Sequence, residues 1–117
     1  MNACAVRATN AAREDERLSL IREAYSDLDD IWEYTAADNP GAADNLREEI
    51  FQAISAVVPF PHQGHRRPDL APGSLRFLVV REYLVAYEPD EKPLLVVAVI
   101  HGRRNPHIIA SILRRRQ

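Results

Sequence analysis

Seven consecutive apolar residues, Leu94-Leu-Val-Val-Ala-Val-Ile100, run between Pro93 and His101. The run is far short of the ~20 apolar residues that span a bilayer. Read as a strand, it has no polar face to give to water, so both of its faces must be covered by protein. It is predicted as the central strand of a sheet, and the rest of the chain must supply two covering layers.

The first covering layer is read from helical spacing. Arg17-Leu-Ser-Leu-Ile21 alternates and reads as a short first strand. From Glu23 the period changes: Ala24, Leu28, Ile31 and Thr35 share a helix face that Tyr25 and Trp32 widen, with Trp32 expected in the core. Asp27, Asp29, Asp30 and Glu33 are expected to point away from it. This helix should end near Asp38. Asn39-Pro40 then opens another, because Asn39 can cap free N–H groups and Pro40 suits a first helical position that needs no amide hydrogen. Ala43, Leu46, Ile50, Ala53, Ile54 and Val57 form its stripe. So short a connection predicts an antiparallel helical hairpin.

Four prolines and two glycines break the chain between Pro59 and Ser74, which reads as a loop. Two β-rich runs follow, Leu75–Val80 and Tyr83–Glu88, joined by Arg81-Glu82 as a tight hairpin. Pro89–Pro93 is a second turn before the apolar strand. Asn105-Pro106 repeats the cap-and-proline device, and Ile108, Ile109, Ile112 and Leu113 predict a short last helix ending in Arg114-Arg-Arg116. The expected fold is α+β: β-α-α-β-β-β, with the helical hairpin on one face of a mostly antiparallel four-stranded sheet, and a short C-terminal helix.

A chain of 117 residues supports one domain. Residues 1–16 read as a polar tail and 17–117 as the domain. The single Cys4 cannot close an internal disulfide, and the tail lacks the apolar core of a signal peptide, so a reducing, cytoplasmic home is expected. The net charge of −2 hides a split: residues 1–60 carry five Lys/Arg against twelve Asp/Glu, and residues 61–117 carry ten against five. One acidic and one basic surface are predicted, a feature that bears on partners.

Three stretches together resemble the RelE/ParE superfamily of toxins from bacterial type II toxin–antitoxin systems: DLDDIWEYTAADNPGAADNLREEI, PHQGHRRPDLAPGSLRFLVVREYLVAYE and LLVVAVIHGRRNP. The shared pattern is Asp-Leu-x-x-Ile-x-x-Tyr on the first helix, Pro-x-x-Gly in the loop, Leu-Arg before the hairpin, a Tyr-bearing strand, and His-Gly-x-x-Asn after the last strand. It spans about residues 17–113. The resemblance implies one of two activities. RelE-like members are ribosome-dependent endoribonucleases that cut mRNA in the A site, whereas ParE-like members poison DNA gyrase without an established catalytic site. Both imply a cognate antitoxin that wraps the toxin, oligomers with that antitoxin, and no membrane association. A degenerate toxin that retains antitoxin binding alone is a third reading.

Cleavage by a 2′-hydroxyl needs a general base, a general acid and a cation near the phosphate. His101, Arg76, Arg81, Arg103 and Tyr87 are the candidates for those roles. The only lysine, Lys92, lies in a turn, and the end SILRRRQ has no Tyr or His of the kind ribonuclease members often place there, so the chain resembles ParE more closely. On the gyrase reading Arg76, Arg81, His101, Arg103 and Arg104 form the target-binding set, expected to converge on one concave surface. Plainer roles compete: His101 can bond a carbonyl, the arginines can pair with acidic helices, and Tyr87 can be core. His62 and His65 are too few for a metal site, and neither metal nor cofactor is expected.

Overall fold

In the computed structural model, which describes residues 16–117, β1 (Leu18–Leu20) leads through α1 (Arg22–Ala36) and α2 (Pro40–Val57) to β2 (Arg76–Val80), β3 (Tyr83–Glu88), β4 (Leu94–His101) and α3 (Pro106–Arg116). The expected tail and Cys4 lie outside the described residues, apart from Glu16. The sheet order is β1-β4-β3-β2, with β1 parallel to β4 and the other two pairings antiparallel. The predicted α+β architecture is the observed one, and the caps are as expected. The Asn39 side chain accepts from the Ala42 N–H at 3.1 Å, and Asn105 accepts from the His107 N–H at 2.8 Å.

The apolar strand β4 is covered on both faces. Leu94, Val96 and Val99 pack under α1 and α2, with Leu28, Ile50, Ile54, Val85 and Tyr87. Val97, Ala98 and Ile100 face the opposite layer, where Ile109 and Leu113 of α3 meet Leu70, Ala71, Leu75 and Phe77. Two neighbours, Val97 and Ala98, share a face because β4 carries a bulge: Tyr87 pairs with Val96 and Ala86 with Ala98, leaving Val97 with no residue opposite.

Two expectations about α1 are corrected. Trp32 is half-buried instead of core, since its ring lies on the seam between the helices and its indole N–H donates to Asp44 Oδ1 at 2.9 Å. Asp27, expected to face water, turns inward toward Arg116 of α3, 2.6 Å away.

Candidate functional site

The β2–β3 turn and the end of β4 meet at one end of the sheet. Arg81 takes φ 56°, the left-handed region that mirror-image hairpin turns require at their first central residue. Its guanidinium forks onto Glu49 of α2, with Nε to Oε1 at 2.8 Å and a second nitrogen to Oε2 at 2.5 Å. The Arg81 bonds hold the Glu49 carboxyl below the usual carboxylate range. One strand over, Tyr83 pairs with His101, and their rings meet edge to face at 5.3 Å. His101 Nδ1 accepts from the Arg103 N–H at 3.1 Å, and Nε2 faces Glu82 at 3.6 Å. Nδ1 is thus engaged as an acceptor, while Nε2 lies beyond hydrogen-bond distance of the carboxylate. The Gly102 N–H donates to the Glu82 carbonyl at 2.8 Å, locking the hairpin to the turn after β4.

Arg103 and Arg104 stand in that turn, exposed, with guanidinium groups that have no acidic partner among the described residues. Beside this end, Tyr34 of the last turn of α1 is 82% exposed. Tyr83 lies within electrostatic reach of it. Burial, reinforced by Glu82 and Tyr34, raises the Tyr83 phenol above its usual value. The sequence reading missed Tyr34, Glu49 and Glu82. Only Tyr34 carried a signal, as a large aromatic off the apolar stripe of α1.

Arg76 and Tyr87 do not join this surface, which corrects the expected convergence. They pair with each other at the far end of the hairpin, about 16 Å along the strand from Arg81. Arg76 donates to the carbonyls of His62 at 3.0 Å and Gly64 at 3.2 Å. The Tyr87 side chain is fully buried. Its hydroxyl donates to the Pro61 carbonyl at 2.6 Å and accepts from the Gly64 N–H at 3.1 Å. Together they clamp the proline-rich loop onto β3. Burial raises the Tyr87 phenol above its usual value, so it stays neutral. His62 is occupied by Asp90 at 2.8 Å.

What the turn surface offers chemically is two exposed planar cations and an exposed aromatic ring, held by a rigid frame. Such groups bind carboxylates and phosphates through paired, charge-assisted hydrogen bonds.

A family model described as ParE toxin of type II toxin-antitoxin system, parDE, matches residues 18–106. A solved structure described as the chromosomal ParDE TA system from P. aeruginosa is similar at a TM-score of 0.61 and 22% identity. The match covers 72% of this chain and 92% of that one, and at this identity it speaks for the fold. No curated protein matches the sequence. Among the described residues, no helix is long and apolar enough to cross a membrane.

Proposed function

Because the chain belongs to the ParE toxin family of type II toxin–antitoxin systems, we propose that it binds and poisons DNA gyrase and that a cognate antitoxin neutralises it. The observation that carries this reading is the separation of the groups a nuclease would need together. Tyr87 and Arg76 are committed to the loop clamp at one end of the hairpin, while His101, Arg103 and Arg104 stand at the other. A scattered acid–base set supports binding over proton transfer, since a general acid or base must reach the reacting atoms directly or through one water.

On this reading Arg103 and Arg104 engage anionic groups of the gyrase–DNA complex, with the exposed Tyr34 as an aromatic anchor at the end of α1. Arginine and tyrosine are the residue types that dominate the energy of protein interfaces. Neutralisation then requires the antitoxin to cover the same groups. The outer edge of β2 offers it a place to dock: His65 bridges to Phe77 there, and beyond that point Val79 is 70% exposed. An added strand along that edge would combine backbone bonding with apolar cover.

The test is a supercoiling assay with purified gyrase, paired with controlled expression in cells lacking the antitoxin. Blocked supercoiling and a DNA-damage response are expected. Rapid translation arrest with codon-positioned mRNA cuts, and supercoiling left intact, would overturn the proposal in favour of the ribonuclease.

A further inference from the structure

Several arginines among the described residues are held in ion pairs. Arg47 pairs with Asp29, Arg67 with Asp69, Arg81 with Glu49 and Arg116 with Asp27. Four exposed arginines without an acidic partner among the described residues flank α3. Arg103 and Arg104 lie in the turn before it, and Arg114 and Arg115 in its last turn.

Burial divides this helix cleanly. Ile109 and Leu113 are buried against the sheet, and Arg116, three residues on, turns the same way to reach Asp27. At 3.6 residues per turn, His107, Arg114 and Arg115 fall on the other side, and all three are exposed. From Pro106 to Arg114 the helical rise is about 12 Å, and Arg103 and Arg104 stand just before the helix starts. Two pairs of guanidinium forks thus stand at the ends of a short rigid rod, with His107 between them.

We propose that the outer face of α3, with the turn before it, is a rail for the phosphate backbone of duplex DNA. The proposal rests on the gyrase reading in one respect: a gyrase-bound toxin works beside DNA. Over about 12 Å of axis, B-DNA presents about seven phosphate charges, at one per ~1.7 Å. A short helix with cations at both ends can therefore meet phosphates without a demand on base sequence. An acidic protein segment fits the face less well, because stable protein interfaces need an apolar centre. The one large apolar side chain exposed on α3 is Ile108. The acidic first half of the chain repels DNA and so favours approach on the α3 side.

The experiment is fluorescence anisotropy of a short labelled DNA duplex titrated with the purified full-length chain, from about 50 to about 200 mM salt. If all four arginines engage phosphates, the slope of log affinity against log salt is about −3.6. Arg103→Ala with Arg104→Ala, and separately Arg114→Ala with Arg115→Ala, should each shrink that slope by about 1.8. Arg66→Ala with Lys92→Ala removes the same charge elsewhere and should leave it unchanged. Absent binding at the lowest salt, or an equal loss in the control variant, overturns the proposal. Binding of an acidic peptide of equal charge as tightly as duplex DNA overturns it too, and assigns the face to a protein. Supercoiling is read separately. A chain that inhibits gyrase but ignores naked DNA overturns the rail and leaves the gyrase reading standing, and one that binds DNA but spares gyrase does the reverse.

Discussion

Asp27 and Arg116 lie 89 positions apart and form a two-pronged ion pair, at 2.6 and 3.1 Å, against the outer edge of β4. β1 pairs with β4 only as far as Val96. Beyond it, the Val99 N–H donates to Asp27 at 3.0 Å, and the Val97 carbonyl accepts from Arg116 at 3.1 Å. One side chain from each covering layer thus serves backbone groups that a longer β1 would have paired.

Breaking this pair should be costly. Each partner is 16% exposed, and removing one partner of a buried pair costs about 3–5 kcal/mol. Arg116→Ala is expected near the lower figure, measured by chemical denaturation, with faster hydrogen exchange at the Val99 amide. Unchanged stability and protection would show that the edge needs no such cover.

Tyr87→Phe should destabilise the fold without touching activity per folded molecule. It strips the partner from the Pro61 carbonyl and the Gly64 N–H, a loss of about 1–3 kcal/mol. Gly64→Ala should be worse, since its methyl group would overlap the Tyr87 hydroxyl. The phenol is raised in the folded state by burial. Its contribution is therefore present below the unfolded value of about 10 and lost as pH climbs past the folded one. A Tyr87→Phe variant that melts like the parent but loses toxicity would return this side chain to the catalytic candidates.

The Arg81–Glu49 pair predicts behaviour in acid. Glu49 has a depressed value when folded, so its stabilisation is present above the unfolded value of about 4.3 and fades as pH falls through the folded one. The melting-temperature gap between parent and Arg81→Ala should be steady above about pH 5 and narrow below about pH 4. A gap that widens in acid would contradict the pairing.

Arg103→Ala with Arg104→Ala should leave folding nearly intact, because exposed charges contribute about 0–1 kcal/mol. Gyrase inhibition should fall about tenfold or more, the scale of one lost charge-assisted contact. His101→Ala should weaken inhibition only a few-fold. A loss of roughly 100-fold in mRNA cleavage on that substitution would instead indicate proton transfer.

Local chemistry was legible in the sequence. Both Asn-Pro caps, the hairpin turn and the doubly covered strand follow from residue type and spacing, and the elements fall within a residue or two of expectation. What escaped notice depends on partners distant in sequence. Nothing within Asp27-Leu-Asp-Asp30 marks which carboxylate turns inward. Its partner was nearer to view, since Arg116 continues the buried positions Ile109 and Leu113 at helical spacing. Counting pairs back from the Arg81-Glu82 turn places Arg76 opposite Tyr87, far from His101. That these two residues hold down the proline-rich loop is visible only in three dimensions.

The bulge at Val97 also makes β4 unusually forgiving of length. A deletion within a strand ordinarily throws every later side chain onto the wrong layer. Here the extra residue is the one with no counterpart on β3, so excising Val97 would join Val96 to Ala98 in regular alternation. Ala98, Val99 and Ile100 would keep their layers, and the Val99 N–H would still reach Asp27. The losses would be confined to one side chain under α3 and one acceptor for Arg116. Sister sequences one residue shorter at this point can therefore share the same three-dimensional plan, and an alignment that opens a gap there misplaces no core residue.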